Sequence, residues 1–193
     1  PILWKAGIPS VGATPTAPTL TAADRGPTFD GFLRTVPNDL GQGEGDAKWM
    51  YNELKCKTAG TIHDGSPYAQ QLVAVFKDNF EKLGGKVISA EAISPTDVDM
   101  KSMLTRVATT KPCVVYLPVF VAAGAQITRQ AKEIKDLEKT PFIVGANMLT
   151  ATYIEAAGKA VVGSRMTGPD FSVEVMGKDY PKYLKRHKEK YGE

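Results

Sequence analysis

The sequence predicts an α/β protein, a three-layer sandwich in which helices wind over both faces of a mainly parallel sheet. Three observations carry this. From Lys57 to Gly168, short apolar runs alternate with longer segments of helical spacing. Turn formers (Asp64-Gly65-Ser66-Pro67, Gly84-Gly85, Lys111-Pro112, Gly158) punctuate the junctions. The intervening segments are long enough for right-handed crossovers, which bring consecutive strands back parallel and bury the sheet on both sides.

The elements follow in order. Val11 to Thr21 (VGATPTAPTLT) reads as a loop after a short strand, since Pro15 and Pro18 forbid a helix interior. Phe32 to Val36 alternates as a strand and stops at Pro37. Gly41 to Gly45 (GQGEG) reads as a flexible joint or hinge, and Asp46 to Leu54 as a helix with Ala47, Met50, Tyr51 and Leu54 on one face. Thr58 to His63 is the first strand of the main unit. Pro67 opens a helix carrying Tyr68, Leu72, Val75, Phe76, Phe80 and Leu83 at helical spacing. Lys86 to Ala92 is the second strand. Asp97 to Thr109 is a helix with Val98, Met103, Leu104 and Val107 inward, and Cys113 to Leu117 the third strand. Ala122 to Leu137 is a helix, Pro141 to Gly145 the fourth strand, Thr150 to Ala157 a short helix and Gly163 to Thr167 a weaker fifth strand. Tyr180, Tyr183, Leu184, His187 and Tyr191 mark a terminal helix that cannot build a core alone.

Composition sets limits on function. The 193 residues carry 24 basic and 21 acidic side chains, a net charge of +3. The basic excess at Lys182, Lys185, Arg186, Lys188 and Lys190 reads as a solvated helix face, and no aromatic residues alternate with basic ones along a groove-like segment, which sets nucleic acid aside. The longest apolar run, Cys113 to Ala125, contains Pro118 and Gly124 and falls short of the roughly 20 residues that span a bilayer. No basic segment with a cleavage site opens the chain, which reads as mature, truncated or recombinant. The two histidines, His63 and His187, stand far apart and predict no metal site. GQGEG lacks the Lys-Ser/Thr ending of a phosphate loop, Ser66 sits in no nucleophile elbow, and Thr61 to Gly65 is no dinucleotide fingerprint. Nothing assembles an acid, a base and a nucleophile. The chain reads as a non-enzyme without a cofactor, and ligands of such sheets bind beyond the carboxyl ends of the strands. Those ends are Asp64 to Tyr68, Pro118 to Val121 and Ala146 to Leu149.

The segments PSVGATPTAPTLT, FLRTVPND, TAGTIHDGSPYAQQL and FIVGAN, in this order and spacing, resemble the solute-binding proteins of branched-chain amino acid transporters. These are the leucine/isoleucine/valine-binding, type I periplasmic binding proteins. The resemblance implies two α/β lobes that close on a ligand, with this chain a fragment centred on the second lobe. Residues 1–45 then form a partial first lobe and crossover, 46–168 the second lobe, and 169–193 a return crossover and helix of the first.

The resemblance also implies ligand contacts. Thr14 and Thr16 belong to the loop that holds a ligand carboxylate through hydroxyls and backbone N–H groups; the alternative is an ordinary Pro/Thr loop. Tyr68 matches the second-lobe position facing the ligand, or else starts the apolar stripe of its helix. Phe120, between Val119 and Val121, takes an aromatic or polar contact position, or else packs in the core. Asn147 stands where amino-acid binders often carry an acid for the ligand ammonium. An amide has no full charge, so either the ammonium is held elsewhere or the ligand has none, and the second reading favours a carboxylate or amide ligand. Asn147 as a cap of the following helix is the alternative. With strands ordered 2-1-3-4, Cys56 and Cys113 fall at the same sheet edge. A disulfide is then sterically open to them and permitted outside the cytoplasm, against two separate buried thiols.

The implied function is capture of a small amino acid, carboxylate or amide for delivery to ABC transporter permease subunits. The place is the periplasm or the cell exterior, free or as a membrane-anchored lipoprotein. A ligand-sensing regulatory domain of the same fold is the alternative, and apolar surface on the outer segments makes a homodimer a further expectation.

Overall fold

Burial along the central strands decides the architecture. The computed structural model describes residues 2–94, 96–170 and 172–192; Pro1 and Glu193, which bound the outer two predicted segments, lie outside the described residues. In chain order the elements are α1 (Ile2–Lys5), β1 (Ser10–Gly12), β2 (Phe32–Arg34), α2 (Asp39–Asn52), β3 (Thr58–His63), α3 (Pro67–Lys82), β4 (Lys86–Ala92), α4 (Lys101–Thr110) and β5 (Val114–Leu117). α5 (Val121–Ala131), β6 (Phe142–Val144), α6 (Ala151–Ala157), β7 (Arg165–Met166), α7 (Val173–Met176) and α8 (Tyr180–Tyr191) follow. Five strands form one sheet in the order β4-β3-β5-β6-β7, and all its pairings are parallel.

Every residue of β5 and β6 is buried, so these strands need cover on both faces. Val114 and Tyr116 of β5 and Ile143 of β6 pack against Ala47 and Met50 of α2 and Leu72, Phe76 and Phe80 of α3. The alternate residues Val115, Leu117, Phe142 and Val144 pack against Leu104 and Val107 of α4, Ala125 and Ile127 of α5 and Tyr153 of α6. The period-two alternation of a strand thus feeds two separate cores. Ser66 caps α3 by accepting from the Ala69 N–H at 3.2 Å, with Pro67 at the first helical position. Cys56 and Cys113, just ahead of β3 and β5, are joined in a disulfide with Cα atoms 5.5 Å apart.

Three sequence expectations need correction. GQGEG is no joint: it lies within α2, which begins at an Asn38 cap accepting from the Leu40 N–H at 3.0 Å. Gly43 is buried there because a Cβ would stand 2.7 Å from Val75 Cγ1 and 3.0 Å from the Phe76 backbone nitrogen. The glycine serves close packing of α2 on α3 rather than flexibility. The helix expected from Asp97 starts at Lys101, and Val98 is exposed. Asp97 closes a turn on the Ser94 N–H (2.9 Å), and Gln130 of α5 accepts from the Met100 N–H (2.7 Å) and donates to the Val98 carbonyl (2.8 Å). Side-chain bonds to the backbone have replaced the first helical turn. The helix expected to reach Leu137 ends at Ala131, and turns carry Leu137 into the core.

β1 and β2 form a separate parallel pair. The Arg34 guanidinium at its end donates to the carbonyls of Pro15 (3.1 Å) and Ala17 (2.9 Å) and to Thr21 Oγ1 (2.7 Å), holding the Pro/Thr loop in shape. Thr19 in turn donates to Gln71 Oε1 of α3 through its N–H (3.3 Å) and hydroxyl (3.1 Å). No residue of α8 is buried, and Tyr180, Tyr183, His187 and Tyr191 stack in succession along it.

Candidate functional site

The carboxyl ends of β3, β5 and β6 bring three of the predicted residues into contact. Tyr68, in the first turn of α3, donates from its phenol to Asn147 Oδ1 at 3.2 Å. Asn147 donates from Nδ2 to the Val119 carbonyl at 2.8 Å. Phe120, ahead of α5 and 54% exposed, lies with its ring centroid 5.9 Å from that of Tyr68. Gly145 permits this approach: a Cβ there would stand 2.6 Å from the Tyr68 hydroxyl. Asn147 sits in a 3-10 turn and is not the cap of α6, a role taken by Thr150. Phe120 is a rim residue, since core packing would not leave half of it exposed.

Asp64, which the sequence marks only as a turn and strand-end residue, underlies this rim. Its Oδ1 accepts from the Ser66 N–H at 3.1 Å and its Oδ2 from the Phe120 N–H at 3.1 Å. One buried carboxylate therefore fixes the starts of both α3 and α5. Asp64, Phe120, Ala122 and Ala123 line a shallow groove beside it. His63 ends β3 with Nδ1 accepting from the Gly65 N–H at 3.1 Å, a strand-end role.

Thr16 lies in a neighbouring groove of about 700 Å³ between the first half of α2 and the end of β7. Asp39, Gln42, Asp46, Trp49, Arg165 and Thr167 share its wall. Gln42, Asp46 and Trp49 share one face of α2 with Gly41 and Gly45, where a Cβ would meet nothing within 4 Å. Thr14 is exposed and belongs neither to this wall nor to the rim contacts.

Two buried acids dominate this groove. Asp46 Oδ2 accepts from the Tyr116 phenol at 2.6 Å, in the core between α2 and β5. Burial pushes the Asp46 carboxyl up to about 6, against the opposing hydrogen bonds of Tyr116, Thr167 and Gln42. Burial likewise raises Asp39, against the Thr16 hydroxyl and the Arg34 charge. The Tyr68 phenol is raised by burial first, then by Asp39, Asp46 and Asp64, so it stays protonated and acts as a hydrogen-bond donor. No group of three or more metal-ligating side chains occurs among the described residues. No helix among them is long and apolar enough to cross a membrane.

A parallel sheet with side chains gathered beyond its strand ends is the arrangement in which α/β units take ligands. The chain belongs to the periplasmic binding protein family, whose model matches residues 1–193. A Leu/Ile/Val-binding protein of Rhizobium johnstonii is 32% identical over 162 residues, 84% of this chain and 42% of that protein. The Leu/Ile/Val-binding protein of Citrobacter freundii is 28% identical over 163 residues, 84% and 43% respectively. Among solved structures, a leucine-binding protein of Thermotoga maritima superposes with a TM-score of 0.80 at 25% identity, covering 100% of this chain and 53% of that one. An R. palustris solute-binding protein in complex with benzoate gives 0.76 at 21% identity, over 100% and 51%, and shows the shared fold. The chain thus spans less than half the length of the curated relatives it matches. Both curated relatives are named as binding proteins for leucine, isoleucine and valine.

Proposed function

We propose that the chain captures a small solute, an amino acid, carboxylate or amide, in a cleft between two lobes and hands it to ABC transporter permease subunits in the membrane. Residues 39–168 act as one jaw, since the whole of α2 packs on α3 as a single helix; 1–38 and 169–193 contribute to the other. Tyr68, Phe120 and Asn147 meet the solute from the first jaw, and Thr14 and Thr16 from the second. The observation that carries this reading is the contact of Tyr68, Phe120 and Asn147 over the strand ends. Residues 52 and 79 positions beyond Tyr68 in the chain meet it where parallel sheets take ligands, with a phenol donor, an amide and an exposed ring gathered there. The disulfide supports a periplasmic or extracellular setting, where such bonds persist. The work is binding, with no bond of the solute made or broken.

A thermal-shift screen of the protein against amino acids, aromatic and aliphatic carboxylates and amides tests this. A ligand at a hundred times its Kd stabilises by about 2.7 kcal/mol, roughly 5–10 °C for a chain of this size. No response from any solute of these classes at millimolar concentration overturns the reading.

A further inference from the structure

We infer that Asp64 is a positioning residue of the site: through the Val119–Phe120 peptide it presets the Phe120 ring against Tyr68 before any solute arrives. The inference rests on the solute-capture reading and goes further by naming what holds the binding surface in shape. The Val119–Phe120 peptide is clamped on both sides. Its carbonyl accepts from Asn147 Nδ2 at 2.8 Å, and its N–H donates to Asp64 Oδ2 at 3.1 Å.

These bonds close a circuit. Asp64 Oδ1 accepts from the Ser66 N–H at 3.1 Å, and Tyr68, in the helix that Ser66 caps, donates to Asn147 Oδ1 at 3.2 Å. Asn147 grips the peptide carbonyl, and the peptide N–H returns to Asp64. The direction of each link matters. Rotating the peptide would turn its carbonyl toward the carboxylate oxygens and its N–H toward the Asn147 amide nitrogen, setting acceptor against acceptor and donor against donor. The ring therefore starts from one backbone orientation, with its centroid 5.9 Å from that of Tyr68. A solute then need not order this loop as it binds, which leaves more of its contact energy as affinity.

A carboxylate suits the point where the circuit closes. Asp64 is buried, and each of its oxygens takes one backbone N–H. An amide has a single acceptor oxygen, so Asn at this position leaves one N–H facing a donor. The two helix starts differ in what else holds them. α3 has its own cap in the Ser66 hydroxyl and Pro67 at its first position. Phe120 stands at the cap position of α5 and provides no side-chain bond there. Loss of an acceptor at Asp64 therefore falls on the Phe120 N–H and frees the ring.

Calorimetric titration of the wild type, Asp64→Asn, Phe120→Ala and the double variant with L-leucine, benzoate and benzamide tests this. For the probe that binds the wild type most tightly, Asp64→Asn should weaken binding about tenfold, as when the competent ring position falls to roughly a tenth of the population. In the Phe120→Ala background the same substitution should cost less than about twofold, because the ring it positions is gone. Equal losses in both backgrounds reveal a general structural role and overturn the inference while sparing solute capture; so does an Asp64→Asn variant that binds like the wild type. Failure of all three probes on the wild type counts against solute capture itself and takes the inference with it. Amide hydrogen exchange on the solute-free wild type needs no variant to fold. The Phe120 N–H should exchange about a hundredfold more slowly than in an unfolded chain, and exchange at the unfolded rate overturns the preset circuit.

Discussion

Asp46 is a buried acid whose removal should stabilise the protein, and the effect should depend on pH in a defined way. The side chain is 4% exposed, and its carboxyl stands at about 6 rather than the ordinary 3.8. Folding therefore favours the protonated form. As pH rises from about 4 through 6, the unfolded chain releases this proton before the folded chain does, and stability is lost. The full penalty at neutral pH is roughly 3 kcal/mol, of which some 2 kcal/mol develops between about pH 4 and pH 8. Asp46→Asn cannot ionise. Its amide oxygen can still accept from Tyr116 at the 2.6 Å contact, while its nitrogen loses acceptor capacity toward Gln42 and Thr167, a cost of about 1 kcal/mol that is independent of pH. Urea unfolding of both proteins across pH isolates the titration, because every other acid cancels in the difference. The variant's advantage should grow by roughly 2 kcal/mol from about pH 4 to pH 8, equivalent to about 4–8 °C in Tm. A difference that stays flat, or that shrinks as pH rises, refutes the assignment of this carboxyl.

Other consequences are as specific. Gly43→Ala should destabilise by about 1–3 kcal/mol, since its Cβ would meet Val75 and the Phe76 backbone, while Gly41→Ala should be neutral or stabilising by up to about 1 kcal/mol, since its Cβ meets nothing; equal effects in thermal melts would contradict the α2–α3 packing. A thiol assay on unfolded, unreduced protein should find no free thiol, and reduction should lower stability by about 2–4 kcal/mol, given a sequence separation of 57 residues between the bridged cysteines; two free thiols would remove the bridge from the account. Tyr68→Phe removes the donor to Asn147 Oδ1 and should cost about 1 kcal/mol in urea unfolding, with Asn147→Leu in the same background adding no further loss of that bond.

The five-stranded sheet was legible because its strands obey local rules. β3 and β4 begin and end where alternation and turn residues put them, and the apolar runs of β5 and β6 are what double-sided burial demands. α2 and α4 were misplaced for a shared reason. The glycines of GQGEG disfavour a helix by propensity, yet close packing on Val75 requires one of them. The helical spacing through Val98 is real, yet Gln130 intercepts the backbone first. Both outcomes depend on residues distant in sequence. The rim residues Tyr68, Phe120 and Asn147 were legible from strand ends and from family resemblance. Asp39, Asp46 and Asp64 were not, because an acid reads as surface until its burial is seen. The one available signal was Asp46 beside Ala47 and ahead of Met50, on the inward face of the predicted helix.

The central claim is that solute binds where the β3, β5 and β6 ends meet the Thr16–Asp39 wall. Residue-resolved amide chemical shifts of isotope-labelled protein, titrated with the solute that raises Tm most, test it directly. The largest saturable shifts should fall at Thr16, Asp39, Tyr68, Phe120 and Asn147. Shifts confined to α8 or to the β4 edge, with these residues unmoved, would contradict it.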